Sequence, residues 1–105
     1  MNYLEYQGKK FSVDPEGFLL DSGAFGPEWV ELVRDAEEID EITEEHREII
    51  ALLRAYFAER GRPPKVKEMT AVTGYKLKRI YDLFPSGPGK GACKMAGLPK
   101  PEGCA

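Results

Sequence analysis

The chain predicts a mainly α, α+β fold: a small helical bundle with an N-terminal β-hairpin and a flexible C-terminal arm. Three observations predict it. Apolar residues recur at helical spacing through 29–36 and again through 49–57. Aromatic and β-branched residues flank a glycine turn near the N-terminus. The last nine residues hold two glycines and two prolines, which do not continue a helix. A length of 105 residues fits one domain, and 42% apolar content suits a packed core. The expected organisation is a globular body over 1–96 and a mobile arm over 97–105.

Tyr3-Leu4-Glu5-Tyr6 and Phe11-Ser12-Val13 flank Gln7-Gly8-Lys9-Lys10 and read as the hairpin. Asp14-Pro15-Glu16-Gly17 is a turn, and Phe18-Leu19-Leu20 reads as a third strand or an apolar plug. Pro27 opens a helix whose inward positions are Trp29, Leu32, Val33 and Ala36. An acidic loop follows, from Glu37 to Thr43. Thr43 is an N-cap, with Glu44 and Glu45 at the positive end of the helix dipole. The next helix is the longest. Its stripe is Ile49, Ile50, Leu53, Tyr56 and Phe57, and it stops at Gly61 before Pro63-Pro64. Two short helices follow, one with Val66, Met69 and Val72, the other with Leu77, Ile80, Tyr81 and Phe84. Ser86-Gly87-Pro88-Gly89 is a loop. Lys90–Ala96 forms one or two helical turns ended by Gly97.

No apolar run approaches the ~18 residues that cross a bilayer, and Met1–Phe11 lacks the order of a signal peptide. A cytoplasmic protein that is not membrane-embedded is expected, with its cysteines reduced by default. Charge is unevenly placed. Residues 1–53 carry 14 acidic and 4 basic side chains, whereas residues 54–105 carry 4 acidic and 11 basic. Either the molecule has two oppositely charged faces or the halves neutralise each other in the fold.

Chemistry concentrates in the two cysteines. Cys104 is penultimate, where a packed core has little use for a thiol. Extended, the arm from Gly97 reaches roughly 25–30 Å, enough to enter a deep channel. Cys93 stands at its base, with ten residues between the two thiols, and reads either as a small core residue or as a resolving thiol. Lys94 and Lys100 favour a thiolate and the terminal carboxylate opposes it; with Lys90 they form the thiol-environment or docking set. The residues alone point to sulfur or redox chemistry on something the arm reaches. Two cysteines and one histidine, His46, lack the paired spacing of a zinc site, so no metal is expected. His46 itself reads as packed or solvated. A competing reading is a helix-turn-helix over Val66–Leu83, with Lys76, Lys78 and Arg79 on its second helix facing DNA.

Leu83-Phe84-Pro85-Ser86-Gly87-Pro88, then Gly91-Ala92-Cys93-Lys94-Met95-Ala96-Gly97-Leu98-Pro99-Lys100-Pro101 and Gly103-Cys104, resembles the C-terminal signature of the DsrC family. The likeness extends upstream through Asp14–Leu20, Trp29, Leu53–Phe57 and Gly61. It implies a sulfur carrier, the gamma subunit of dissimilatory sulfite reductase, rather than a stand-alone enzyme. Related TusE proteins relay sulfur for tRNA thiolation and keep only the penultimate cysteine; both are present here, which favours the DsrC branch. The resemblance implies that Cys104 enters the reductase alpha and beta subunits near their sirohaem and iron–sulfur cluster. Sulfur becomes bonded to it, and Cys93 closes a persulfide into a trisulfide or disulfide. A membrane-bound thiol/disulfide oxidoreductase complex then reduces the product, and other sulfur-transfer proteins are further partners. No cofactor is implied for this chain itself. The same chemistry serves sulfite reduction and sulfur oxidation, so direction stays open. Glu102 and Ala105 stand where the family often has Thr and Val, and Glu102 adds a negative charge beside the thiol.

Overall fold

The computed structural model describes residues 2–101. The hairpin forms as read. Strands β1 (Asn2–Tyr6) and β2 (Lys9–Val13) pair antiparallel, from Asn2 opposite Val13 to Tyr6 opposite Lys9. Gln7 and Gly8 make the two-residue turn, both with positive φ, which matches the right-handed twist of the strands. Strand β2 buries Phe11 and Val13, Tyr6 of β1 packs half-buried against the core, and Tyr3 and Leu4 of β1 are exposed. Asp14 Oδ1 accepts the backbone N–H groups of Glu16 and Phe18 and closes the following turn. Phe18-Leu19-Leu20 is a plug with a single bridge, Val13 to Leu19. Phe18 and Leu19 are buried and Leu20 points outward.

Helix α1 (Pro27–Glu37) begins on Pro27 and buries Trp29 and Val33. Ala36, read as inward, is exposed, because it falls beyond the turn that meets the core. Helix α2 (Glu44–Arg60) runs through the centre and buries Ile49, Ile50 and Leu53. Its start holds more than Thr43. The Thr43 hydroxyl faces the His46 N–H, and His46 Nδ1 accepts the Thr43 N–H at 3.0 Å. This is a capping box with imidazole in the role usually taken by Glu or Gln. Accepting at Nδ1 fixes the proton on Nε2, which donates to the Leu83 carbonyl at 2.7 Å. The ring also meets Phe84 edge-on at 5.0 Å. His46 is thus packed, and it ties the start of α2 to the end of the fourth helix.

Helices α3 (Met69–Thr73) and α4 (Leu77–Leu83) are short. They insert Met69, Ile80 and Leu83 into the core, and Phe84 follows. Of the apolar residues named for the last of these helices, Leu77 and Tyr81 are exposed. A seven-residue helix buries one narrow stripe, and Ile80 and Leu83 occupy it. All these elements close on one core in which Trp29 meets Phe11 edge-on at 5.2 Å. No described helix is long and apolar enough to cross a membrane.

Candidate functional site: the base of the C-terminal segment

The loop expected over 86–89 and the turns expected over 90–96 are one continuous device. Glu37, at the end of α1, accepts both the Ser86 N–H (2.9 Å) and the Ser86 hydroxyl (2.6 Å), fixing the turn after Phe84. Pro88–Cys93 then winds as a π-helix. The Lys94 N–H reaches the Gly89 carbonyl, five residues back. Such windings are rare and concentrate at functional sites. Gly91 sits where an added Cβ would lie 2.8 Å from Phe84 Cβ, so this wide turn packs flush on the core only with glycine there.

Cys93 is the last residue of the π-helix and is fully buried. The chain then ends its helix in a Schellman motif. Gly97 takes φ +76, its N–H donates to the Lys94 carbonyl (3.0 Å), and the Leu98 N–H donates to the Cys93 carbonyl (3.1 Å). The backbone of Cys93 is therefore bonded to the first residue beyond the helix. An added Cβ at Gly97 would stand 2.8 Å from the Phe25 ring and 3.2 Å from Arg54 Nη1.

Four long-range contacts hold this base. Trp29 Nε1 donates to the Lys94 carbonyl at 2.8 Å, across 65 residues of sequence. Arg54 Nη1 donates to the Ala96 carbonyl at 2.8 Å, with its guanidinium 4.0 Å from the Phe25 ring centroid. Burial lowers the Arg54 pKa from its ordinary value, yet a guanidinium keeps its charge. Lys94 Nζ donates to the Glu16 carbonyl and lies over the Phe18 ring, while Lys100 pairs with the Glu16 carboxylate at 2.9 Å.

The lysines grouped by sequence thus separate. Lys94 and Lys100 turn to the Asp14–Leu20 loop, and Lys90 is exposed. Cys104 lies outside the described residues, so its place relative to Cys93 does too. The segment assigned to the arm from residue 97 is packed at its start. Leu98 is fully buried among Cys93, Met95 and Trp29, and Pro101 is buried. Glu16, Arg54 and the hydrogen-bonding role of Trp29 escape a reading of the sequence. Each contacts residues far along the chain, and no local pattern announces it.

The charged halves interlock at several points. Arg79 forks onto Glu45, Lys100 meets Glu16, and the Tyr75 hydroxyl donates to Glu48 at 2.7 Å. The Glu45 contact occupies one of the three cations grouped for DNA contact; Lys76 and Lys78 are exposed. Among the described residues no group of three His, Cys, Asp or Glu could hold a metal ion.

A chain in the crystal structure of dissimilatory sulfite reductase I superposes with a TM-score of 0.88 at 47% identity, covering 99% of this chain and 100% of that one. The gamma subunit of dissimilatory-type sulfite reductase from Nitratidesulfovibrio vulgaris (strain Hildenborough) is 53% identical over 104 residues, covering 99% of both chains. The sulfurtransferase TusE of Pectobacterium atrosepticum is 32% identical over 108 residues, covering 96% of this chain and 98% of that one. The family model described as DsrC like protein matches residues 5–105, and the chain belongs to the DsrC-like family.

Proposed function

We propose that this protein is a cytoplasmic sulfur carrier of dissimilatory sulfite reductase, with Cys104 as the loading thiol and Cys93 as the resolving thiol. The observation that carries the reading is the anchored base. A π-helix and a Schellman cap fix Cys93, and Trp29, Arg54 and Glu16 hold the residues around it. Such an anchor holds the resolving thiol in place. Full burial shields Cys93 from bulk reagents. A thiol tethered eleven residues away is the natural partner. The pair can bond once their Cα atoms come within about 7 Å.

The chemistry balances as follows. Sulfite sulfur becomes the zero-valent centre of a trisulfide by gaining four electrons, two from the reductase cofactors and two from the thiols as S–S bonds form. The three oxygens leave as water, with protons from the thiols and solvent. Four electrons and four protons from a membrane-bound thiol/disulfide oxidoreductase then restore both thiols and release sulfide. The sirohaem and iron–sulfur cluster belong to the alpha and beta subunits; this chain contributes reach, two thiols and a rigid base. A TusE-type relay would use the same Cys104 persulfide with a different thiol acceptor, and the likeness to TusE favours that as the second reading. Sulfite-dependent electron uptake by purified sulfite reductase tests the proposal. Wild-type protein is expected to accelerate it and Cys104→Ser is not; equal stimulation by both would remove Cys104 from the reaction.

A further inference from the structure

A groove of about 810 Å³ opens between α1 and α2; of its lining residues, Phe25 and Arg54 also border the base of the tail. Its walls are two matching helical stripes. Pro27, Val30, Glu31 and Arg34 come from α1, and Arg47, Ile50, Ala51 and Arg54 from α2. Both have i, i+3, i+4, i+7 spacing, so the groove follows each helix for two turns, about 10 Å. The floor is apolar, from Val30, Ile50 and Ala51, with Ile42 of the connecting loop. The ends are cationic. Arg54 stacks on Phe25, beside the start of α1, while Arg34 and Arg47 come from the helix ends next to the loop that carries Glu41 and Ile42.

The placement of those cations is the informative point. Residues 1–53 carry 14 acidic side chains and only two arginines, Arg34 and Arg47, and both line this groove. Their present partners are weak. Arg47 meets only exposed Glu44, at 3.6 Å, and Arg34 meets its neighbour Asp35. Arg34 Nε is buried and donates to no acceptor among the described residues. The Arg34 side chain is 34% exposed, and its terminal nitrogens, not Nε, are the atoms an occupant can reach. Guanidinium forks match carboxylates in particular. Glu31 stands mid-groove and disfavours an occupant with an acid at its centre, while Glu41 at the loop end is outnumbered there by Arg34 and Arg47.

We propose that the groove docks a two-turn amphipathic helical segment of a partner protein, with apolar side chains at its centre and a carboxylate at each end. The charge pattern selects this occupant: cationic ends, an apolar floor and an acidic midpoint. The mode is that of a helix laid in a groove and anchored by apolar side chains. Arg54 and Phe25 join one end of the groove to the base of the tail, whereas Arg34, Arg47 and Ala51 make none of the contacts described for that base.

The test uses the full-length reduced protein, uniformly 15N-labelled, and a side-chain-stapled helical peptide with Glu at positions i and i+7 and Leu at i+3 and i+4. Binding is expected to shift amides of Val30, Arg34, Ile50, Ala51 and Arg54 together. The same peptide with Lys replacing both Glu is expected to bind at least about tenfold more weakly, as is the Glu peptide to Arg34→Gln/Arg47→Gln. Ala51→Glu, at an exposed floor position, is expected to abolish binding without unfolding the protein. It keeps the test decisive if the arginine variant is unstable. Equal affinity for the Glu and Lys peptides, shifts outside the groove, or no binding at millimolar peptide would overturn the proposal. So would binding of octanoate without the peptide, which would assign the groove to a small apolar acid.

Discussion

Replacing Leu98 by alanine separates a packed tail base from a mobile arm that starts at residue 97. Leu98 is fully buried in the cluster containing Cys93, Met95 and Trp29, and its N–H caps the helix on the Cys93 carbonyl. Removing a buried leucine side chain loses its transfer free energy and leaves a cavity, about 2–5 kcal/mol together. A domain of this size holds only about 5–15 kcal/mol in total. At about 4–8 °C per kcal/mol, the melting midpoint is expected to fall by roughly 8–40 °C. Leu20→Ala is the internal control: the same atoms are removed from a side chain that is 62% exposed, for a change within about 0.5 kcal/mol. Both variants would be melted by circular dichroism under reducing conditions, so that no disulfide contributes. Similar midpoints for Leu98→Ala and Leu20→Ala would show that the chain leaves the body at Gly97, and the anchored base would be wrong.

Three further outcomes follow from the same contacts. His46→Ala strands the Thr43 N–H and the Leu83 carbonyl. A loss of about 2–4 kcal/mol is expected in urea midpoint at unchanged slope, and a loss under about 0.5 kcal/mol would discard the capping role. Gly97→Ala places a Cβ against Phe25 in the left-handed region, for an expected cost of about 1–3 kcal/mol; unchanged stability would contradict the Schellman geometry. The hydrogen bond from Arg62, together with the Lys65 N–H, holds the Glu68 carboxyl down at about 2. Its contribution is therefore complete above the unfolded carboxyl range near pH 4.5 and disappears as pH falls toward about 2. Glu68→Gln should flatten stability across that window relative to wild type, and an unchanged slope would dismiss the pairing.

Local signals carried most of the fold. The Gly8 turn, Pro27 at a helix start, Thr43 as a cap and the Gly61-to-Pro64 stop each act over a few residues, and each is where the sequence puts it. Amphipathic spacing was reliable for α2, which is long enough to show a full stripe. It did not separate buried Ile80 from exposed Leu77 and Tyr81, and it misled at Ala36, because a short helix or a helix end offers the core only one or two positions. The family was legible because its motif is compact in sequence. The π-helix was not, since it depends on Glu37 fixing Ser86 and on Phe84 pressing against Gly91. Nor were Glu16 and Arg54. Their partners lie 84 and 42 residues away, and composition cannot show which carbonyl or cation a side chain will meet.

Intact mass of the protein under non-reducing conditions, after turnover of sulfite with purified sulfite reductase, tests the two-thiol cycle most directly. Wild-type protein is expected to gain about 30 Da, one sulfur added and two hydrogens lost as the pair closes. Cys93→Ser is expected to gain about 32 Da as a persulfide on Cys104, or to appear as a dimer linked through it. Cys104→Ser is expected to gain nothing. Full loading of Cys104→Ser would contradict the account, because the fully buried Cys93 would then have taken sulfur without the penultimate thiol.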